Sequence, residues 1–180
     1  MKKIMFNDKY DLTKAVLEGR KTQTRRIINV GLQYIMNGND DVMKQAVYET
    51  SRYKVGERVA IAQSYQDVNW QGKMSLGPGR NNKMFVKAEY MPHHIRITNV
   101  RIERLRDICE KDCLKEGVKM IGNYKYGVYG IWYKLYKKGN AYVMFDTVRQ
   151  AFAALIDKIC GKGIWENNPW VFVYDFELIK

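Results

Sequence analysis

The sequence is poor in the residues that stiffen or cross-link a chain. Its 180 residues include 3 prolines, 3 cysteines and 2 histidines. So few prolines argue against a disordered chain. The cysteines are odd in number and scattered, which fits a reducing cytoplasm better than a disulfide framework. We therefore expect a cytoplasmic protein.

A metal site has little support in the sequence. Cys109 and Cys113 lie four residues apart and would share a face of a helix, and His93 and His94 precede them. Their spacing matches no familiar metal-ligand pattern, and adjacent histidines cannot easily aim at one ion. We predict neither a metal nor a cofactor.

Long apolar runs are also missing. No run approaches the ~20 residues needed to span a bilayer. Residues 1–6 are partly basic but lack an apolar region long enough for a signal peptide. We expect no membrane partner.

The residues that are abundant favour a folded, basic protein. The chain is 46% hydrophobic and 13% aromatic, which is enough for a core, and its length suits one domain or one domain with a large insertion. Its 31 lysines and arginines against 19 acidic residues give a net charge of +12. Such a field favours polyanion partners, although many basic proteins bind nothing specific.

One stretch, residues 19–26 (GRKTQTRR), concentrates this charge. On an extended strand Thr22, Thr24 and Arg26 would share one face, and Lys21, Gln23 and Arg25 would point the other way. The converging donors suit a phosphate, a carboxylate or a nucleobase edge. The alternative is a solvated basic turn.

The first half of the chain shows helix and strand patterns around this stretch. Asn7 or Asp8 can cap a helix that ends at Gly19, and a strand continues through residues 27–30. We interpret residues 31–53 as a surface insertion.

The insertion has its own pattern, with a turn at 37–40 and a short helix over 40–50. A strand follows at 59–62. Residues 66–82 then form a long loop that is rich in glycine and asparagine.

The second half begins with two strands, over 83–90 and 95–105. The apolar alternation of the longer strand slips by one residue around Thr98 and Asn99, which predicts a bulge or bend. A helix over 107–117 would put Glu116 in its last turn, where the helix dipole disfavours a carboxylate. Lys21 or Arg26 could offset that cost.

The chain closes with a helix and a strand. Asp146 or Thr147 caps the helix and Gly161 ends it. A rigid turn at 165–170 leads into an alternating strand over 170–178.

Residues 122–140 interleave tyrosines and tryptophan with lysines, including Tyr126 and Lys134. Aromatic faces beside cations suit single-stranded nucleic acid. The same composition is typical of a half-exposed strand, so both interpretations stay open.

Four sequence segments together resemble the ASCH family. The first is residues 19–26 after a helix, which resembles the family signature. The others are 55–59 (VGERV), 101–108 (RIERLRDI) and 168–174 (NPWVFVY), which resemble a longer subgroup found in phages, prophages and bacteria. The resemblance covers nearly the whole chain and implies a PUA-like β-barrel that binds RNA or nucleotides.

The resemblance also implies candidate catalytic residues. One small bacterial branch of the family hydrolyses the acetyl amide of N4-acetylcytidine with a lysine, a threonine and a glutamate. The matching positions here are Lys21, Thr24 and Glu116, and the basic residue after the threonine corresponds to Arg26. The chain departs from that branch at residues 31–53, at 66–82 and in its added C-terminal helix.

We therefore expect residues 1–180 to form a single mixed α+β domain, a small, largely antiparallel PUA-like barrel with helices at its sides. The leading hypothesis is a binding module for RNA, a nucleotide or a modified nucleoside. Its predicted binding residues are Lys21, Thr22, Thr24, Arg25, Arg26, Tyr126 and Lys134. The alternatives are an amidohydrolase acting through Lys21, Thr24 and Glu116, and a phage or prophage protein-interaction module with a vestigial pocket.

Overall fold

A mixed five-stranded sheet with helices packed around it forms the centre of the fold. The structure, a computed structural model, describes residues 1–72, 76–121, 125–127 and 145–179, with backbone alone for 120, 121 and 125–127. The strands of the sheet are β1 (Lys3–Ile4), β2 (Gln23–Ile27), β3 (Arg58–Ile61), β4 (His94–Arg104) and β7 (Trp170–Ile179). A separate ribbon pairs β5 (Lys119–Ile121) with β6 (Lys125–Gly127).

Six helices accompany these strands in the described part of the chain. They are α1 (Leu12–Leu17), α2 (Val30–Asn37), α3 (Asp41–Glu49), α4 (Glu110–Lys115), α5 (Val148–Cys160) and α6 (Ile164–Asn167). The mixed α+β class predicted from the sequence is confirmed. Among the described residues, no helix has both the length and the apolar character needed to cross a membrane.

The strand order is β1-β3-β4-β7-β2. The β1–β3 pair is parallel and the other pairs are antiparallel. No strand pairing joins the edge strands β1 and β2 in the part of the chain described, so the sheet is not closed. The PUA-like barrel and the single-domain organisation remain predictions.

The two long strands β4 and β7 form where the sequence predicts them. The β4–β7 register shifts between Ile97 and Asn99, at the slip that the apolar alternation predicts. In β7 the alternation gives way to four successive buried residues, 171–174, so both faces of the strand are covered there.

Three of the predicted helix ends are also confirmed, at Gly19, Thr147 and Gly161, whereas the N-cap of α1 is Asp11 rather than Asn7 or Asp8. Asn7 caps a 3-10 turn that leads into α1, and Gly19 follows that helix with a φ of +73°. Thr147 forms a capping box with Gln150 at the start of α5, and Gly161 is its C-cap.

The predicted strand over 83–90 is wrong. Two 3-10 turns, Lys83–Phe85 and Ala88–Tyr90, occupy this segment. The Asn82 side chain accepts a hydrogen bond from the backbone of Met84 and starts the first turn. An alternating pattern needs a neighbouring strand to pair with, and in the described sheet none is available here.

Three other element boundaries also differ from the sequence predictions. The strand after the basic stretch does not reach Val30, because the Asn29 side chain caps α2. The predicted helix over 107–117 is divided into a turn, Leu105–Asp107, and the shorter α4. The predicted rigid turn at 165–170 overlaps the short helix α6, which begins at Ile164.

The region 31–53 contains most of α2 and all of α3, and Asp40 caps α3 within the predicted helix. Val30, Tyr34 and Val42 expose 72, 77 and 78% of their surface. Within residues 76–82 of the predicted loop, a 3-10 turn spans Pro78–Arg80.

Two glycines with positive φ, Gly19 at the start of the basic stretch and Gly117 after α4, give a stability prediction. Alanine at Gly19 meets no atom within 4 Å, so its cost is the left-handed backbone alone, about 1 kcal/mol. At Gly117, with φ +99°, an added Cβ would lie 3.1 Å from Leu12 Cδ2. We expect Gly117→Ala to lower the free energy of unfolding in urea by more than Gly19→Ala does, and equal losses would contradict this packing.

Candidate functional site

The basic stretch is fixed by backbone contacts at both ends. The amides of Arg20 and Lys21 both donate to the carbonyl of Ala15, which closes the end of α1. The amide of Thr22 donates to the carbonyl of Lys115 on α4, at 3.0 Å. From Gln23 onward the chain pairs with β7. These bonds bring the residues around 21 close to the end of α4.

Lys21 is fully enclosed at this junction, with 2% of its side chain exposed. Its ammonium donates to the carbonyl of Gln23 at 2.7 Å, to the carbonyl of Glu116 at 2.8 Å and to Glu116 Oε2 at 2.6 Å. Burial lowers the pKa of Lys21, and Glu116 opposes that shift. Because three acceptors surround the nitrogen, Lys21 is an ammonium ion in this geometry.

The predicted partner of Glu116 is thus Lys21, and the second cation is Arg25 rather than Arg26. Arg25 Nη1 lies 3.0 Å from Glu116 Oε1, and 1% of the Arg25 side chain is exposed. Arg25 also binds Glu103, with Nη2 at 2.5 Å and Nε at 3.1 Å from Oε1. Lys21, Gln23 and Arg25 share the face that strand periodicity predicts.

The pairing continues into a wider network on β4, β7 and α4. Arg101 contacts Glu103, Asp112 and Asp175 at 3.1, 2.9 and 2.5 Å. The Gln23 side chain donates to Asp175 at 2.6 Å. Burial raises the pKa of Asp112, but the Lys115 hydrogen bond and nearby arginines outweigh it, so that pKa lies below its ordinary value.

The network contains four cations and four carboxylates and therefore carries no net formal charge. Its members are Lys21, Arg25, Arg101, Lys115, Glu103, Asp112, Glu116 and Asp175. Two of the predicted binding cations, Lys21 and Arg25, are thus paired within the protein. Their ion pairs leave little of their charge available for an external anion.

A cavity of about 770 Å³ opens over this network, between β2 and α5. We call it the main cavity. Its polar floor consists of Lys21, Thr24, Arg25 and Glu116. Its apolar walls include Phe6, Leu12, Phe152, Leu155 and Ile156, and its charged rim consists of Asp8, Lys9, Arg26 and Lys83.

Thr24 is the hydroxyl residue of the floor. It pairs with Tyr174 in the β2–β7 register and is 4% exposed. Its side chain makes no hydrogen bond to any residue that the structure describes. The hydroxyl can therefore donate to, or accept from, a ligand.

Two of the three cations of the rim, Lys83 and Arg26, differ in how they are paired. Lys83 Nζ pairs with Asp8 at 2.6 Å and also donates to the carbonyl of Phe6. Arg26 is exposed, and its Nη2 donates to the carbonyl of Met5 at 2.7 Å. No carboxylate in the described ranges lies within 4.0 Å of Arg26. Its remaining N–H groups can therefore bind an anion.

Of the other predicted binding residues, only Thr22 has a described side chain, and it does not line the main cavity. Thr22 is half-buried, and the structure uses its backbone to bind α4 and β7. Lys134 lies outside the described residues, and of Tyr126 only the backbone, in β6, is described.

The sequence analysis missed α5 as a wall of the main cavity. Its apolar stripe looks like ordinary core packing, and Phe152 and Leu155 are indeed buried. It also missed Glu103 and Asp175. The signal was present in each case, since both are carboxylates within otherwise alternating strands.

The cysteines and histidines do not converge. Cys113 is buried, which raises its pKa to about 12, whereas Cys109 is exposed. His93 contacts Gln63 and His94 contacts Arg58. Within the described ranges, no group of three or more His, Cys, Asp or Glu is arranged to hold a metal ion.

Comparison with known proteins identifies no family. No family model matches the sequence, and no curated protein matches it. The solved structures similar to this chain include protein EF3133 from Enterococcus faecalis, which is described as DUF984. The TM-score is 0.46 with 14% identity, over 99% of this chain and 80% of that one. Such a likeness supports no conclusion about this chain, and the ASCH assignment stays a prediction.

The buried network predicts that substitutions of Glu116 and of Lys21 lower the stability of the protein by different amounts. Glu116→Gln leaves Lys21 and Arg25 buried without their shared anion, so we expect a loss of about 3–5 kcal/mol in the free energy of unfolding. Lys21→Met should cost less, because Arg25 still pairs with Glu116.

A double-mutant cycle separates this coupling from general damage. The double variant Lys21→Met/Glu116→Gln should lose less than the sum of the two single losses. Glu177→Gln is the control, because its pair with Arg96 is exposed and should contribute under about 1 kcal/mol. Strict additivity of the two losses would contradict a coupled pair.

Proposed function

We propose that the main cavity binds a nucleobase, presented by RNA, a nucleotide or a modified nucleoside. The observation that carries this proposal is the contrast between its apolar walls and its paired, hydrogen-bonding floor around Thr24. Ligand cavities of this kind typically measure about 300–1,000 Å³ and use a few polar groups to fix orientation.

The charge state of the floor favours a neutral heterocycle over an anion. Lys21 and Arg25 are balanced by Glu103 and Glu116, so an anion placed there would compete with existing ion pairs. A nucleobase needs only hydrogen-bond donors and acceptors at its edge and apolar contact on its faces. The walls supply that contact through Phe6, Phe152 and Leu155.

The rim suits the charged part of the same ligand. Arg26 is exposed at the cavity mouth and has N–H groups to spare. Guanidinium groups bind phosphate through parallel N–H bonds. The proposal therefore places the base inside and its phosphate at Arg26.

The resemblance of residues 19–26 to the ASCH signature supports the same assignment. We retain membership of that family, in its longer phage and bacterial subgroup, as part of this proposal. The PUA-like barrel belongs to it as well. Closure of the barrel would bring the edge strands β1 and β2 together. The hydrogen bond from Arg26 in β2 to Met5, the residue after β1, connects these two edges of the sheet.

Calorimetric titration with cytidine, N4-acetylcytidine and cytidine monophosphate at low salt tests the proposal. We expect binding of at least one probe, and Thr24→Val should weaken it about fivefold or more because a buried polar group of the ligand loses its partner. Thr24→Ser, which keeps the hydroxyl, is the matched control. If none of the probes binds, or if Thr24→Val binds them as tightly as the wild type, the proposal is wrong.

A second candidate function, an amidohydrolase for N4-acetylcytidine, is favoured by one contact. Thr24 can attack the acetyl carbonyl only if a base takes its proton. Lys21 has no lone pair as an ammonium, but proton transfer along its 2.6 Å bond to Glu116 would create a neutral amine and a carboxylic acid. Burial lowers the pKa of Lys21 and so favours its neutral amine, whereas its ion pair with Glu116 opposes that change.

The covalent steps of that reaction balance without a cofactor. The Thr24 oxygen bonds to the acetyl carbon, the amide C–N bond breaks, and Glu116 gives the leaving amine its proton. Water then hydrolyses the acetyl-threonine ester to acetate and restores the hydroxyl. Because the Lys21 ammonium uses its hydrogens in three hydrogen bonds, we rank binding above catalysis.

Chromatography of N4-acetylcytidine incubated with the protein distinguishes the two functions. The amidohydrolase hypothesis predicts that cytidine accumulates and that Thr24→Val or Lys21→Ala slows its appearance at least ~100-fold. Binding without cytidine formation would reject the catalytic role and leave the binding role intact.

The third hypothesis, a protein-interaction module, would use α2 and α3. Val30, Tyr34 and Val42 expose apolar surface there. It predicts that nucleosides leave the melting temperature unchanged, whereas nucleobase binding raises it.

A further inference from the structure

A second cavity of about 310 Å³ adjoins the main one. The two share Met5, Arg26 and Ile27 as lining residues, so Arg26 stands on the wall between them. Lys3 and Arg52 also line the second cavity. We call this second cavity the basic groove.

The cations of the basic groove have donors to spare. Lys3 Nζ donates to the carbonyls of Met84 and Val86, at 2.7 and 2.6 Å, and keeps one N–H. The Arg52 guanidinium lies over the Tyr53 ring, 5.5 Å from its centroid, and donates no hydrogen bond within the described residues. Neither it nor Arg26 nor Lys3 has a carboxylate within 4.0 Å in the described part of the chain.

The electrostatics of the groove differ from those of the main cavity floor. Burial lowers the pKa of Lys3, and the neighbouring Arg52 lowers it further. Repulsion between these cations is therefore not compensated locally. A bound anion would reduce this repulsion. The groove is therefore suited to bind an anion, whereas the charge-balanced floor of the main cavity is not.

The back of the groove is aromatic but enclosed. Tyr53 and Tyr174 are 3 and 1% exposed, and their hydroxyls bond to the backbone of Lys3 and Arg52. Both hydroxyls are thus engaged with the backbone and are less available than that of Thr24 to bind the edge of a second base. The groove therefore suits a phosphate and its sugar better than another nucleobase.

The positive surface continues beyond the groove. Lys2 and Lys87 line an open depression that shares Lys3 and Arg52 with it. Glu57 pairs with Lys2 at 3.0 Å, and Glu89 also lines the depression, so its charge is partly offset. None of the residues that line this depression also lines the main cavity, so the positive surface extends away from that cavity.

We propose that the basic groove binds the phosphodiester backbone that leads out of the main cavity, so that the protein recognises a nucleotide within single-stranded RNA rather than a free nucleoside. This inference rests on the proposed function, since it needs a base in the main cavity. It adds a binding site at Lys3, Arg26 and Arg52, and it identifies the ligand as single-stranded RNA.

The test compares cytidine, cytidine monophosphate and a fluorescein-labelled five-nucleotide oligocytidylate across a series of salt concentrations. We expect the strand to bind at least tenfold more tightly than either small probe at low salt. Each phosphate contact contributes about 0.7 to the slope of log K against log salt for a single strand. Three cations predict a slope of about −2 for the strand and a shallower slope for the monophosphate.

Substitutions separate the groove from the main cavity. Arg52→Gln should weaken the strand several-fold and reduce the magnitude of the slope by about 0.7, while cytidine binding is unchanged. Arg52→Lys should retain most of the slope. The control, Lys111→Gln, removes one exposed charge on α4 outside both cavities and should leave the strand affinity unchanged. Thermal melting confirms that each variant is folded.

The outcomes distinguish this inference from the proposed function. If cytidine binds and the strand binds no more tightly, or if Arg52→Gln leaves the strand slope unchanged, the groove inference is wrong and the nucleobase site stands. If Lys111→Gln lowers the slope as much as Arg52→Gln does, the attraction is diffuse and the inference again fails. If no probe binds at low salt, the proposed function fails and the inference with it.

Discussion

The buried contact between the Lys21 ammonium and the Glu116 carboxylate determines how the rest of the site is arranged. Both groups lose their hydration, and such pairs are stable only when every remaining donor and acceptor is satisfied. Here the Gln23 and Glu116 carbonyls take the other two ammonium hydrogens, and Arg25 takes the second carboxylate oxygen. Those demands fix the end of α4 against the start of β2, and so they fix the floor of the main cavity.

The same constraint divides the charge of the protein into two populations. Cations on the inner face of β2 and on β4 form ion pairs with Glu103, Asp112, Glu116 and Asp175. The network therefore has no net formal charge. The excess behind the +12 total therefore lies elsewhere, and part of it, Lys3, Arg26 and Arg52, lines the basic groove. A neutral floor beside a cationic groove matches a neutral base joined to a charged backbone.

Features that depend on neighbouring residues in the sequence could be predicted. Features that depend on which segments pair in the folded protein could not. Gly19, Thr147 and the slip at Thr98–Asn99 act through the backbone next to them, so the sequence alone located them. Residues 83–90 have strand alternation but no partner strand, and periodicity cannot detect that lack. The choice of Arg25 over Arg26 for Glu116 depended on which face of β2 turned inward.

The pairing of β2 with β7 has a consequence for how the protein is made. Gln23 lies opposite Asp175, so the second strand of the chain is completed by the last one. Contacts of such long sequence separation form late, because the intervening chain must first be ordered. During synthesis the strand that carries the site therefore waits without a partner strand until the C-terminal strand has left the ribosome. Three of its own residues, Gln23, Arg25 and Arg26, carry a charge or an amide. They keep the unpaired strand hydrated and discourage premature pairing between chains.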